Sequence, residues 1–188
     1  VQQALEMGLS PQDILNEGLI KSMDVIGKRF KANEIYVPEV LIAARAMKAG
    51  MALIKKPLAD TGVKPLGTFI IGTVKGDLHD IGKNLVAMMM EGAGFKIVDL
   101  AIDVSADKFM AAMKENRNAL VGMSALLTNT MIGMEANIKA FREAGLDNPV
   151  IIGGAPVDEG YAKKINATGY AKDAATAVEV AKQILGIS

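Results

Sequence analysis

The stretch LGTFIIGTVKGDLHDIGKNLVAMMME, residues 66–91, decides how this chain is read. Its first part, Leu66 to Val74, is apolar, of strand length, and rich in β-branched and aromatic side chains. Its last part, Lys83 to Glu91, is rich in Met and Leu and reads as a helix. Between them lies the loop from Gly76 through Asp77, Leu78, His79, Asp80 and Ile81 to Gly82, which holds the only histidine among 188 residues. That histidine falls in a strand-to-helix loop, at the carboxyl end of the first strand of an α/β sheet. Such edges are where open α/β sheets bind ligands.

A single histidine is more often a solvated or core residue than a functional one. Three neighbours shift the balance here. Asp77, two residues upstream, can accept a hydrogen bond from one ring nitrogen and leave the other free as a ligand. Gly76 and Gly82 bracket the loop and permit close backbone approach to something bulky. The following helix offers unpaired N–H groups to polar or anionic ligand atoms.

Outward from this loop, the chain beyond Leu66 repeats strand, loop and helix about every 25 to 30 residues, the rhythm of doubly wound folds. Strands are expected at 67–74, 95–100, 119–124, 149–153 and 168–171, and helices at 82–93, 105–116, 130–144, 157–166 and 173–185. The architecture expected is a five-stranded parallel sheet of flavodoxin-like (Rossmann-like) order 2-1-3-4-5. Its switch point lies between the first and third strands, whose ends carry His79 and Ser124. Small residues (Gly122, Ser124, Ala125, Gly153, Gly154, Ala155) dominate this edge. Each alone reads as tight strand–helix packing; together they describe a deep slot with little side-chain bulk.

Residues 1–56 read as helical. Ser10 and Pro11 mark a helix start, as N-cap and first helical residue. Ile14, Gly18, Leu19, Met23, Ile26 and Phe30 then form an apolar stripe, and after a charged break at Lys31 to Tyr36 a second stripe runs through Leu41, Ala44, Met47, Met51 and Ile54. Such helices must pack on each other and on a partner surface. Residues 57–65, from Pro57 to Pro65, are turn-rich and read as a linker, so the division is a helical cap at 1–56 and an α/β domain at 66–188.

Composition bounds the function. Half the residues are apolar and the formal net charge is zero, which gives a sizeable core and no electrostatic case for nucleic acid. No run approaches the about 18 apolar residues of a membrane span, and no signal peptide is visible. There is no cysteine, hence no disulfide framework. A soluble, cytoplasmic protein is expected. The chain begins at Val1, so residues upstream are expected to have been removed.

The pattern Asp77-x-His79-x-x-Gly82 is followed after 41 residues by Ser124, Ala125 and Leu126, and after 26 more by Gly153 and Gly154. This three-part signature resembles the cobalamin-binding motif of methionine synthase and of the corrinoid proteins in methyltransferase systems. The resemblance covers essentially the whole chain, because residues 1–56 are similar to the helical cap of that family. It implies cobalamin or a related corrinoid as cofactor, with His79 as the lower axial ligand of cobalt. Asp77 would orient the imidazole, with Ser124 extending the relay. Gly76, Leu78, Asp80, Gly82 and Leu126 would lie against the cofactor beside them.

In the same resemblance the nucleotide tail enters the slot along Gly153 and Gly154, and Ala174 aligns with a further contact in the closing segment Tyr170 to Ala174. Ser124 and Thr128 would supply hydroxyls to the tail or the macrocycle edge; helix capping at 130 is the competing reading of Thr128 and Thr130. Phe30 and Val37 match positions that cover the cobalt's upper face, although Val37 is smaller than the leucine found there. Glu17 matches an acidic contact only through a one-residue gap. Ordinary bundle packing accounts equally for Phe30 and Val37, and a solvated face for Glu17.

The function so implied is methyl carriage. Cobalt(I) would accept methyl from a substrate-specific methyltransferase and deliver it to an acceptor methyltransferase that serves tetrahydrofolate or coenzyme M. A reductive activator would be a third partner. The cap would swing aside for each methyltransferase, and the chain alone would turn nothing over. Two other readings use the same histidine motif: the cobalamin-binding subunit of an adenosylcobalamin-dependent mutase, which needs a separate barrel, and a cobalamin sensor module, which needs a DNA-binding domain. A receiver domain shares the sheet order but requires a phosphorylatable Asp where Ser124 stands.

Overall fold

The computed structural model describes residues 1–61 and 64–187. The cap comprises α1 (Gln2–Glu6), α2 (Pro11–Asp13), a π-helical stretch (Ile14–Ile20), α3 (Lys21–Lys31) and α4 (Val37–Thr61). Ser10 caps α2 by accepting a hydrogen bond from the Asp13 N–H, at 3.0 Å. The α/β unit follows as β1 (Thr68–Thr73), α5 (Ile81–Gly92), β2 (Lys96–Asp99), α6 (Ala106–Glu115), β3 (Leu120–Ser124), α7 (Thr128–Glu143), β4 (Val150–Gly153), α8 (Glu159–Lys164), β5 (Gly169–Tyr170) and α9 (Ala174–Ile184).

The strands form one parallel sheet in the order β2-β1-β3-β4-β5, as the repeat predicts. Thr73 pairs with Ser124, and Ser124 with Gly153. The last residues of β1, β3 and β4 therefore stand level, and the loops that leave them meet above one edge. Both faces of the sheet are covered, which explains the apolar runs of β1, β3 and β4. Phe69, Ile71, Leu120 and Ile151 point into a core shared with α5, α9 and the cap residues Met23, Val40 and Met47. Ile70, Val121, Met123 and Ile152 point the other way, among Phe109, Met113, Met134 and Phe141 of α6 and α7.

The cap departs from the sequence reading in three places. The segment after α2 winds as a π-helix, and Gly18 is exposed rather than part of the stripe. Ile14 and Leu15 are buried, and Leu19 and Ile20 pack against the same cluster. These two apolar pairs lie five residues apart, the spacing that a π-helix links by its backbone hydrogen bonds. In α4 the buried stripe passes through Val40, Met47 and Ile54, whereas Leu41 is exposed. Finally, α4 does not stop for a linker at Pro57 but runs to Thr61. Proline removes one N–H and its ring crowds the preceding turn. Burial of Ile54 and Leu58 against Ile14 and Leu15 on either side of it favours continuing the helix. Residues 62 and 63 of the expected linker lie outside the described residues.

Helix α7 also begins earlier than read, at Thr128, so Thr130 is inside the helix and caps nothing. Among the described residues no helix is long and apolar enough to cross a membrane.

Phe109 is fully buried and packs on Phe141 with ring centroids 6.0 Å apart. Phe109→Ala is expected to lower the unfolding free energy by about 3–5 kcal/mol, through lost transfer energy and a residual cavity. Equilibrium urea unfolding checks this; a loss under about 1 kcal/mol would mean that α6 does not depend on this ring.

Candidate functional site

The site begins with a buried carboxylate. Asp77 is fully buried in the loop after β1, and every hydrogen-bonding direction around it is used. Its Oδ1 accepts from the His79 N–H at 3.0 Å and lies 2.7 Å from His79 Nδ1. Its Oδ2 accepts from the Leu126 N–H at 2.8 Å and the Thr130 hydroxyl at 2.7 Å. Burial pushes the carboxyl towards the neutral form, but the bonds from Thr130, Leu126 and His79 outweigh it and hold the pKa well below the usual carboxylate range. Asp77 is ionised at neutral pH.

An ionised Asp77 only accepts, so His79 Nδ1 carries the proton of the neutral ring. Its Nε2 is left with a free lone pair. The ring is half exposed, at 51% of its side chain, while its partner is at 0%. Its backbone is fixed from below, where the buried Thr73 hydroxyl donates to the His79 carbonyl at 2.9 Å. Gly76, at φ +83°, makes the turn before it and donates its N–H to Asp103 Oδ1. The result is one imidazole nitrogen, oriented by its partner on the other side of the ring, at the sheet edge.

Beside it opens a cavity of about 740 Å³. Leu78, His79, Asp80 and Gly82 border it on the β1 side, and Ser124 and Leu126 on the β3 side. Gly153 and Gly154 border it from β4, and Tyr170 to Ala174 from β5 and the start of α9. Phe30 reaches it from the cap. Leu78 and Ile81 are 68% and 76% exposed, and together with Leu126 they make an apolar rim around the histidine.

The small residues at this edge are required by backbone and ring contacts. A Cβ on Gly154, at φ +134°, would lie 1.8 Å from the Ala125 carbonyl oxygen, and one on Gly153 would lie 2.7 Å from that of Ala171. The glycines thus let the β4 loop pass between its neighbours. A Cβ on Gly122 would meet the Phe69 ring at 2.5 Å, and both residues line the cavity.

Other sequence-predicted residues fall elsewhere. Ser124 borders the cavity but makes no hydrogen bond to Asp77; the relay runs through Thr130. Thr128 is exposed at the start of α7, outside the cavity lining. Val37 is half-buried within the cap–α5 core, and Glu17 pairs with Lys21 on an exposed face. Neither lines the cavity. Thr130 sits four residues beyond Leu126, so one helical turn brings its hydroxyl back over the loop. Only that turn distinguishes it from the other hydroxyls nearby.

Among the described residues no three His, Cys, Asp or Glu side chains gather to hold a metal ion. A metal bound through His79 alone must bring its remaining ligands with it, as a macrocycle-held metal does. The single free nitrogen, the apolar rim and the adjoining cavity fit such a group.

Comparison with known proteins agrees with this geometry. Residues 67–179 match a family model described as a B12 binding domain, and residues 1–55 match a second of the same description. A corrinoid protein of Desulfitobacterium hafniense (strain Y51) is 38% identical over 98% of this chain and 88% of its own length. The dimethylamine corrinoid protein of Methanosarcina barkeri is 40% identical over 94% and 84%. The methanol:cobalamin methyltransferase complex MtaBC from Methanosarcina barkeri superposes with a TM-score of 0.86 at 30% identity, covering 100% of this chain and 72% of that one.

Asp77 loses a donor in Thr130→Val, which is expected to cost about 1–3 kcal/mol. Ser124→Ala should stay within about 0.5 kcal/mol. Because the folded pKa of Asp77 is depressed, its stabilisation is complete above about pH 5 and is lost as pH falls below about 4. The gap between wild type and Thr130→Val should therefore be flat from about pH 5 to 8 and close in acid. Denaturant titrations across pH decide it, and a gap unchanged in strong acid contradicts the assignment.

Proposed function

The chain belongs to the B12-binding domain family, and from that premise we propose that it is a corrinoid methyl carrier working between methyltransferases. The observation that carries the proposal is His79, whose Nδ1 is locked on a buried, ionised Asp77 and whose Nε2 stands free at the mouth of the cavity. His79, through Nε2, would hold the metal of a bound cobalamin or related corrinoid. When bound, the corrin supplies the methyl-accepting and methyl-donating chemistry; the protein supplies binding, orientation and electrostatics.

Each part of the site has a task in this reading. Asp77 fixes the tautomer and ring plane of His79. Thr130 and the Leu126 N–H keep Asp77 ionised, so the imidazole never competes with a protonated carboxyl. Leu78, Ile81 and Leu126 offer apolar support to the macrocycle. The cavity bordered by Ser124, Gly153, Gly154 and Ala174 receives the nucleotide tail. Phe30 covers the cavity from the cap and excludes water.

The dimethylamine and methanol systems of the relatives favour methyl carriage over the mutase-subunit and sensor readings. The partners are a substrate-specific methyltransferase, an acceptor methyltransferase using tetrahydrofolate or coenzyme M, and a reductive activator. The carrier and its partners act in the cytoplasm. The helical cap serves as a lid over the α/β unit that gives way to each partner in turn.

The test is reconstitution with cobalamin. In the cobalt(II) form, the EPR spectrum should show nitrogen superhyperfine splitting that changes when the protein is labelled at histidine with nitrogen-15. His79→Ala should lose the protein-derived component. Failure to bind any corrinoid, or an unchanged mutant spectrum, overturns the binding assignment. Catalytic methyl transfer from donor to acceptor by the isolated holoprotein would overturn the carrier role.

A further inference from the structure

We propose that Lys83, paired with Asp99, is a positioning residue for His79, holding the second end of the loop whose first end is held by Asp77. The inference rests on the corrinoid reading above and assigns a role to residues that reading does not use.

Lys83 is in the wrong place for a stabilising lysine. It lies in the first turn of α5, where the helix dipole disfavours a cation, and its side chain is only 2% exposed. Burial of an ammonium group is costly unless every proton is satisfied. Here every proton is. Nζ donates to Asp99 Oδ1 at 2.8 Å, to Asp99 Oδ2 at 2.7 Å and to Asn84 Oδ1 at 2.6 Å. An apolar side chain of similar length would cover the same core with neither penalty, so fold stability alone does not account for the lysine.

What the bonds connect does account for it. Asn84 donates its side-chain N–H to Asp80 Oδ2 at 3.0 Å and its backbone N–H to the Asp80 carbonyl at 2.7 Å. Asp80 is the residue after His79. A continuous chain of contacts therefore runs from Asp99, at the end of β2, through Lys83 and Asn84 to the carboxyl side of the histidine. The same β2–α6 loop grips the other side. The Asp103 N–H donates to the Asp77 carbonyl at 3.1 Å, and Asp103 Oδ1 accepts from the Gly76 N–H at 2.8 Å. Asp99 also fixes that loop from within, accepting the Ala101 N–H at 2.8 Å where Ala101 sits at φ +69°. The histidine loop is thus clamped at both ends by one neighbouring loop, and Lys83 makes the rear clamp.

The rear clamp sets where α5 begins relative to β2, and with it the direction in which the His79 ring leaves the backbone. Asp99 is 42% exposed, so it rehydrates when its partner is removed. Losing Lys83 should therefore leave the fold intact and loosen the histidine. Outer partners of metal ligands typically change metal affinity 10- to 100-fold.

The experiment reconstitutes wild type, Lys83→Met and Asp99→Asn with cobalamin and measures the His-on to His-off ratio of the cobalt(II) form by EPR at one pH. Lys83→Met is expected to lower that ratio about tenfold, with cofactor-free melting close to wild type. It should weaken cobalamin binding in the wild-type background but not further in His79→Ala, because the effect acts through the histidine. Asp99→Asn should shift the ratio the same way and stands in should Lys83→Met not fold. A wild type without a His-on form overturns the corrinoid reading itself. A His-on wild type matched by both variants, or an equal affinity loss in the His79→Ala background, overturns the role of Lys83 alone.

Discussion

A carboxylate with no access to water is the constraint around which this edge of the sheet is arranged. Asp77 can remain ionised at 0% exposure only if donors surround it, and an unmet bond there would cost about 1–3 kcal/mol. Those donors come from its own loop, from the start of the loop after β3, and from the first turn of α7. Satisfying one charge thus ties together three segments that the sheet order makes neighbours. The histidine tautomer follows as a by-product, since an acceptor-only partner on Nδ1 leaves Nε2 as the unprotonated nitrogen of a neutral ring. Stability and ligand presentation are the same set of hydrogen bonds.

The order β2-β1-β3-β4-β5 is what makes this arrangement possible. The β1 and β3 loops diverge to opposite faces, α5 on one side and α7 on the other, and the gap between them is where a ligand can enter. The β2 end contributes too. Its last residue, Asp99, reaches across to Lys83, and Asp103 in the loop that follows reaches Gly76. His79 is therefore supported from β1, β2 and β3 together, although only the loop after β1 carries it.

Much of this was legible in the sequence, and the parts that were not share a cause. Strands buried on both faces announce themselves as apolar runs bounded by turns, so the sheet and its order followed from spacing. The pairing of Asp77 with His79 followed from their separation of two residues. What sequence spacing could not rank was which of several hydroxyls reaches Asp77. Ser124, Thr128 and Thr130 all lie near the right strand end, and the start of α7 at Thr128 decides in favour of Thr130. Lys83 was hidden for a different reason: a lysine in a helix reads as a solvated charge, and its burial depends on Asp99, sixteen residues away. In the cap, pattern reading assumed 3.6 residues per turn and a helix end at proline. The pairs at Ile14–Leu15 and Leu19–Ile20, and the burial of Leu58 past Pro57, override both assumptions.

The two sides of the cavity are held by different kinds of force. The loop side is fixed by buried hydrogen bonds that admit one geometry. The cap side rests on apolar contact: Met23, Val40 and Met47 share the core under the sheet, a Cβ on Gly27 would lie 3.1 Å from Met89 Cε, and one on Gly92 would lie 3.0 Å from Met23. Two ion pairs flank that seam, Asp24 with Lys182 at 3.2 Å and Lys31 with Glu179 at 2.6 Å, each with part-exposed side chains. Exposed pairs of this kind contribute little, about 0–1 kcal/mol, and are screened by salt. Methionine contacts adapt to a changed neighbour better than branched side chains do. Among the described residues Phe30 is the cap's one contribution to the cavity lining. No hydrogen bond to Asp77 or His79 among the described residues comes from the cap, so the loop side of the cavity is held by bonds that are independent of the cap seam.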